Sequence, residues 1–385
     1  MPGKALAVYT SQFADYKFHE DHPFNPLRLK LWFELLEAMD AISDEDLCYP
    51  PPATEEEILL VHTRDYVEAV KLASLGKLPE DPLQYNLGTE DNPIFPKMHQ
   101  ATSLVVGGTL QAARLVMEGV TSHALNMGGG LHHAMTGHAS GFCIYNDAAI
   151  AIKWLRKHYN LKVMYIDVDA HHGDGVQWVF YKDPDVMTVS FHETGRYLFP
   201  GTGGVLERGA DEGYGYAVNI PLEPFTEDDS YIEALEEVLP ALMKSFQPDL
   251  IVSQHGCDSH EYDPLTHLSL TTRGFAAAAR LIHRLAHEYC QGRWVALGGG
   301  GYAPRRVVSR CWAILWGEMA ERTLPEKIPE SWLLKWAKHA PVSLPEYLYD
   351  REEEFPPKPR REEISEKNRR TVVQALNRPV WSFVF

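Results

Sequence analysis

Val163-Met164-Tyr165-Ile166-Asp167-Val168-Asp169-Ala170-His171-His172-Gly173-Asp174-Gly175 is an apolar run that breaks into three carboxylates and two imidazoles. An ordinary buried strand has no reason to carry such a cluster, so the stretch reads as a strand that ends in a metal site. Asp169 and His171 stand two apart, and in an extended chain both side chains project from the same side and can converge on one cation. Leu250-Ile251-Val252-Ser253 repeats the pattern and runs into Gln254-His255-Gly256-Cys257-Asp258-Ser259-His260, which makes Asp258 the expected third ligand. Two carboxylates and one imidazole neutralise a divalent cation and leave positions open for water and substrate, as catalytic zinc sites do and structural ones do not. An isolated Asp-x-His can equally be a pair of polar loop residues, so its company decides the matter.

Met127-Gly128-Gly129-Gly130-Leu131-His132-His133-Ala134 follows the short apolar run Ala124-Leu125. Adjacent histidines after glycines are weak alone, but beside a metal they acquire a purpose. Attack of water on an amide needs a base for the water proton and an acid for the departing amine, and imidazole suits both tasks near neutrality. The surplus carboxylates Asp167 and Asp174 can each accept an imidazole N–H and fix its tautomer. Trp294-Val295-Ala296-Leu297 leads into Gly298-Gly299-Gly300-Gly301-Tyr302, a loop free to approach the site closely. Tyr302 there can donate to a developing oxyanion; a tyrosine that only packs is the alternative.

Outward from these runs the chain alternates strand and helix signals. Leu29, Trp32, Phe33 and Leu36 have helical spacing, and helices are expected around 104–116, 147–159, 228–246 and 272–290. Strands are expected at 124–126, 163–166, 186–190, 217–220, 250–253 and 294–297. This is the βα alternation of an α/β fold: a single-domain open parallel sheet flanked by helices on both faces. Every proposed catalytic residue falls just after a strand, at the edge where such sheets bind ligands.

The ordered blocks identify a resemblance. His22-Pro23-Phe24-Asn25-Pro26-Leu27-Arg28, Gly129-Gly130-Leu131-His132-His133-Ala134 and Ser140-Gly141-Phe142-Cys143-Ile144-Tyr145-Asn146-Asp147 open the series. The 167–175 run, Phe199-Pro200-Gly201-Thr202-Gly203, the 254–258 run, Asp263-Pro264-Leu265 and the 298–302 run complete it. From about residue 5 to about residue 320 the chain resembles the zinc-dependent histone deacetylase superfamily, and within it is similar to the bacterial acetoin-utilisation deacetylases, relatives of the class I enzymes. The resemblance implies an arginase/deacetylase-like fold and zinc held by Asp169, His171 and Asp258. It implies an acid/base pair of His132 with Asp167 and His133 with Asp174, His133 serving as the acid, and Tyr302 polarising the acetyl carbonyl. Phe142 and Phe199 would be the aromatic walls of a tunnel for the acyl-lysine stem, with Gly141 and Leu265 also lining it and Asp91 at its rim. Arg28 matches the arginine of an internal cavity that attracts the leaving acetate. Potassium would sit beside the zinc through Asp167, Asp169, His171, Ser190 and the carbonyl of Phe191. Iron(II) suits the same Asp/His/Asp donors, since geometry and availability select the metal. The implied partner is an acetylated protein, a metabolic enzyme among the candidates.

A chain of 385 residues with 45% hydrophobic content can bury a large core. We expect a catalytic domain over 1–325 and a C-terminal extension over 326–385, packed on the domain or trailing from it. Charge and proline between Tyr347 and Arg370 predict an extended or partly helical surface tail, with Trp381-Ser382-Phe383-Val384-Phe385 docking back. The five cysteines include no C-x-x-C pair, which predicts a reducing compartment. The N-terminus lacks a signal peptide's apolar core and no run reaches membrane-spanning length, so a cytoplasmic protein without membrane association is expected. A formal charge of −17 argues against nucleic acid and favours lysine-rich substrates. Three rival functions share parts of this pattern. An acetylpolyamine amidohydrolase would use the same metal and histidines with another tunnel shape. A two-manganese ureohydrolase would need a second carboxylate pair, poorly supplied by Asp263 five residues after Asp258. A non-catalytic acetyl-lysine binder would be expected to lack a ligand, a histidine or the tyrosine, and none is missing.

Overall fold

The apolar runs pair into one parallel sheet in the computed structural model, which describes residues 5–77, 79–338, 340 and 342–377. Its strands are β1 (Leu6–Val8), β2 (Leu47–Cys48), β3 (His123–Asn126), β4 (Val163–Asp167), β5 (Val186–Glu193), β6 (Ala217–Leu222), β7 (Leu250–Gln254) and β8 (Trp294–Leu297). They lie in the order β2-β1-β3-β8-β7-β4-β5-β6, every neighbour parallel. All residues of β3, β4, β5, β7 and β8 are buried. Both faces are therefore covered, which is why these strands read as continuous apolar runs rather than alternating ones. β1 and β2 escaped the sequence reading because three and two residues are too few to show a pattern.

The helices are α1 (Leu27–Ala38), α2 (Glu55–Ile58), α3 (Arg64–Ser74), α4 (Met98–Met117), α5 (Asp147–Tyr159), α6 (Asp174–Phe180), α7 (Asp228–Phe246), α8 (Thr272–Cys290), α9 (Ser309–Met319), α10 (Glu330–Ala337) and α11 (Arg361–Leu376). Local chemistry sets the sharp boundaries. The Asn146 side chain accepts the Ala149 N–H and starts α5, and Asn160 in the left-handed region ends it. Thr271 caps α8 in the same way, and Gln291 with φ 56° terminates it. No helix among the described residues is long and apolar enough to cross a membrane.

Topology places the site. From β4 the chain moves one way to β5 and β6, whereas from β7 it moves the other way to β8. β4 and β7 are neighbours, so their carboxyl ends diverge and open a crevice between them, the position at which open α/β sheets bind ligands.

The C-terminal segment is more embedded than its composition suggests. Trp332 and Trp336 of α10 are buried, and their indole N–H groups donate to the Leu31 carbonyl at 3.2 Å and to Glu34 at 3.1 Å. α11 lies along β6 and α7, where Asn368 accepts the Glu223 N–H and donates to Thr226 and Ser230. It thereby shields one edge of the sheet. Asp350 is buried between Arg310 at 2.7 Å and His260 at 2.8 Å. Asp350 is thus a paired, buried charge, whereas most charged side chains of 351–370 stay exposed, and composition alone does not distinguish the two. Trp381–Phe385 lie outside the described residues.

Candidate active site

Asp169, His171 and Asp258 meet where β4 and β7 end, all three buried, with one ligand atom from each lying within 4.8 Å of the others. His171 Nδ1 is 2.8 Å from Asp258 Oδ2 and 3.2 Å from Asp169 Oδ1. Backbone donors fix both carboxylates. Asp169 accepts the N–H groups of His171 at 2.9 Å and Gly300 at 2.6 Å, and Asp258 accepts that of Ala170 at 2.9 Å. Burial and the charge of Asp169 push the Asp258 carboxyl above the usual range. Burial acts on Asp169 in the same sense, but His132 and His171 outweigh it and hold Asp169 well below that range. Two anionic donors and one imidazole crowded into a dry site suit a divalent cation, which would relieve their repulsion.

The histidine pair is built on α5. Asp147, its first residue, accepts the N–H groups of Gly130 and Leu131 and the Thr109 hydroxyl. Asn146 donates to the carbonyls of His132 and Ala134 while capping the same helix. These bonds present His132 Nδ1 to Asp167 at 2.8 Å and His133 Nδ1 to Asp174 at 2.7 Å, with ring centroids 4.0 Å apart. The surroundings shift the two rings in opposite directions. Burial opposes protonation of His132, yet Asp167 and Asp169 prevail and raise it to about 9. Burial and the neighbouring His132 lower His133 to about 4. These surroundings favour the neutral form of His133, to which the sequence reading assigned the acid role.

Tyr302 follows β8 on the glycine loop, and its backbone N–H donates to Asp263 at 2.7 Å. Burial and the carboxylates Asp258 and Asp169 hold its hydroxyl well above the usual phenol range, so it stays protonated as a donor. A Cβ at Gly300 would come within 2.0 Å of Asp258, so only glycine lets this loop close on the ligand set. Arg28 is buried, donates to the Gly299 carbonyl at 2.6 Å and lies over Phe24 and Trp312. A narrow cavity of about 20 Å³ is lined by His132, His133, Gly141, Asp169, His171 and Tyr302, among others. Larger grooves of about 540 and 940 Å³ lie against the C-terminal segment and contain none of these groups.

The approach to the site is aromatic. Phe199 packs edge-on to His133 with centroids 5.0 Å apart, and Phe142 packs edge-on to Tyr302 at 6.0 Å. Phe142 has φ 68°, a strained conformation held by the Tyr16 hydroxyl donating to its carbonyl at 2.6 Å. A Cβ on Gly141 would strike the His133 ring. Leu265 is partly exposed and bonded through its N–H to Asp263. The exposed Asp91 acts on His22 through both its backbone and its charge, and His22 is itself packed on Phe142 at 4.7 Å. Ser190 sits opposite Asp167 in the β4–β5 ladder, with Phe191 next to it, and the Ser190 hydroxyl pairs with His192 Nδ1 at 2.8 Å.

Several contributors carried no role in the sequence reading. Asp147 and Asn146 support the histidines, and Asp263 ties the Asp258 loop to Tyr302. Both oxygens of Asp263 accept backbone N–H groups, and among the described residues the ligand cluster at this edge comprises Asp169, His171 and Asp258 without it. The Gln254 amide donates to Asp169 at 3.3 Å, and the Tyr165 hydroxyl donates to Asp167 at 2.8 Å. Their only signal was position beside a charged motif at a strand end.

A cation-binding triad, two imidazole–carboxylate pairs and a protonated tyrosine at the crevice of a parallel sheet are the parts of a metal-assisted hydrolase. Comparison with known proteins narrows the class. The histone deacetylase domain matches residues 22–319. The acetoin utilization protein AcuC of Bacillus subtilis (strain 168) is 54% identical over 373 residues, spanning 97% of this chain and 96% of that protein. AcuC of Staphylococcus aureus (strain MRSA252) is 45% identical over 369 residues, 95% of each. An HDAC homolog from Aquifex aeolicus has a TM-score of 0.86 at 30% identity, covering 96% of this chain and 100% of that one. An HDAC homolog complexed with SAHA gives the same TM-score and coverage at 31% identity. The chain belongs to the histone deacetylase family, in its AcuC-like branch.

Proposed function

We propose that the chain removes acetyl groups from acetyl-lysine in proteins, hydrolysing the amide to acetate and free lysine with zinc as its metal. The observation that carries this reading is the convergence of Asp169, His171 and Asp258 beside two carboxylate-paired histidines and Tyr302. Zinc held by the three ligands would supply Lewis acidity and lower the pKa of water, and iron(II) fits the same donors. His133, neutral and oriented by Asp174, takes the proton of the attacking water at Nε2 and returns it to the departing lysine nitrogen. His132, kept protonated by Asp167 and Asp169, opposes the negative charge that develops. Tyr302 donates its hydroxyl proton as a hydrogen bond to the carbonyl oxygen as that atom becomes an oxyanion. Arg28 draws off the acetate.

Phe142 and Phe199 would flank the aliphatic stem, Gly141 leaves room beside His133, and Leu265 and Asp91 would meet the substrate at the rim. An exposed rim suits a macromolecular substrate, and the AcuC relatives, named for acetoin utilization, support an acetylated metabolic enzyme as the partner. Potassium, through Asp167, Asp169, His171, Ser190 and Phe191, would stiffen the ends of β4 and β5. The deciding measurement is kcat/KM of the zinc-loaded protein on an acetyl-lysine peptide and on an acetylated polyamine. Preference for the peptide is expected; preference for the polyamine would overturn the protein-substrate reading while leaving the hydrolytic one.

A further inference from the structure

His283 and His287 stand four apart on α8 and so share one helix face, while His123 opens β3 at the amino edge of the sheet, opposite the active site. Their Nε2 atoms form a triangle with all three edges 3.1 Å. Hydrogen bonding cannot satisfy that triangle. A ring nitrogen carries either one proton or one lone pair in the ring plane, so any placement of protons leaves at least one edge with two lone pairs or two N–H groups facing each other. One cation at the centre satisfies all three nitrogens. Three imidazoles bound to zinc at about 2.0–2.1 Å in tetrahedral geometry have nitrogens about 3.3 Å apart, close to the spacing observed.

The surroundings are those of a ligand set. Glu318 on α9 lies 3.2 Å from His283 Nδ1, the relation that fixes the proton on Nδ1 and leaves Nε2 free to coordinate. Trp294 stacks on His283 with centroids 5.6 Å apart and meets His123 edge-on at 5.7 Å, locking both rings. His123 and His283 are buried and His287 is exposed, so a fourth position faces solvent.

We propose that His123, His283 and His287 form a second metal site, separate from the deacetylase centre, for a borderline divalent cation of the zinc, cobalt, nickel or copper type. A neutral all-imidazole set selects these ions over magnesium or calcium, which prefer oxygen. Bound metal would join α8 to the start of β3, with water completing the coordination.

The test is metal stoichiometry by elemental analysis after the full-length protein is stripped and dialysed against zinc. Wild type is expected to hold two equivalents, and His287→Ala, Asp258→Ala and the double variant one, one and none. His287 is exposed, so its variant folds, and it should retain wild-type turnover of an acetyl-lysine peptide. Cobalt(II) loading of Asp258→Ala should give a visible d–d spectrum that His287→Ala removes. A wild-type stoichiometry of one, or two equivalents surviving in His287→Ala, would overturn the proposal. Loss of activity in Asp258→Ala tests the other centre separately.

Discussion

The two edges of the sheet gather metal-type donors in different ways. At the carboxyl edge two carboxylates and one imidazole are buried, and backbone N–H groups of the β4 loop and of the glycine loop hold the carboxylates. At the amino edge three imidazoles meet with one of them exposed, supported by Glu318 and Trp294. Burying an anion is costly unless donors surround it, so the carboxyl edge requires the glycine-rich loops that bring backbone N–H groups within reach. Neutral imidazoles need no such cradle and can be carried by one helix and one strand. The anionic site also sets two imidazole–carboxylate pairs and Tyr302 beside its ligands. The largest expected effect follows directly. Asp258→Ala or exhaustive chelation should lower amide hydrolysis by about a thousandfold or more, the rate equivalent of about 4 kcal/mol of lost charge stabilisation. Full activity after metal removal, with metal content measured on the same sample, would end the metal-assisted mechanism.

The difference between the edges also explains what was legible in the sequence. Asp169 and His171 declared themselves because charge in an apolar run is anomalous, and the glycine run before His132 and His133 marked a loop at a strand end. The expected spans of α5, α7, α8 and β8 agree with the structure, and in α5 and α8 side-chain caps coincide with the apolar periodicity. The amino-edge histidines were less visible. His283 and His287 have helical ligand spacing, but His123 lies more than a hundred residues away and becomes their neighbour only through the β3–β8 pairing. Asp350 was hidden for another reason: its segment reads as solvated charge, and only the fold brings it to Arg310 and His260.

That buried carboxylate gives a second prediction, on stability. Asp350 bonds His260, two residues beyond Asp258, and so clamps the loop that carries a metal ligand. Asp350→Asn leaves Arg310 charged, buried and without its counter-ion, which should destabilise the fold by about 3 kcal/mol. Burial opposes ionisation of Asp350, but His260 and Arg310 outweigh it and hold its pKa well below the carboxylate range. The folded value is depressed, so this stabilisation is complete above the unfolded value of about 3.9 and is lost as pH falls toward the folded one. Urea titrations at pH 7 and below pH 4 should therefore show the gap between wild type and variant narrowing with acidity. A constant gap would mean that packing, not charge, is what Asp350 supplies.

The smallest of these effects asks whether the carboxyl edge performs chemistry or only holds a cation. Tyr302 is the discriminating residue because its hydroxyl is protonated at the site and no metal ligand depends on it. Tyr302→Phe removes one oxygen, keeps the backbone N–H that bonds Asp263, and leaves Asp169, His171 and Asp258 in place. If the hydroxyl donates to the developing oxyanion, kcat should fall by about a hundredfold, the scale of losing one such donor, while KM changes little. If the ring only packs beside Phe142, both constants should stay within a few-fold of wild type. Steady-state kinetics on an acetyl-lysine peptide, with zinc content equal in both samples, separate the two cases. A hundredfold fall in kcat/KM carried mainly by KM would instead assign Tyr302 to substrate binding, and stabilising the oxyanion would then fall to the metal and His132.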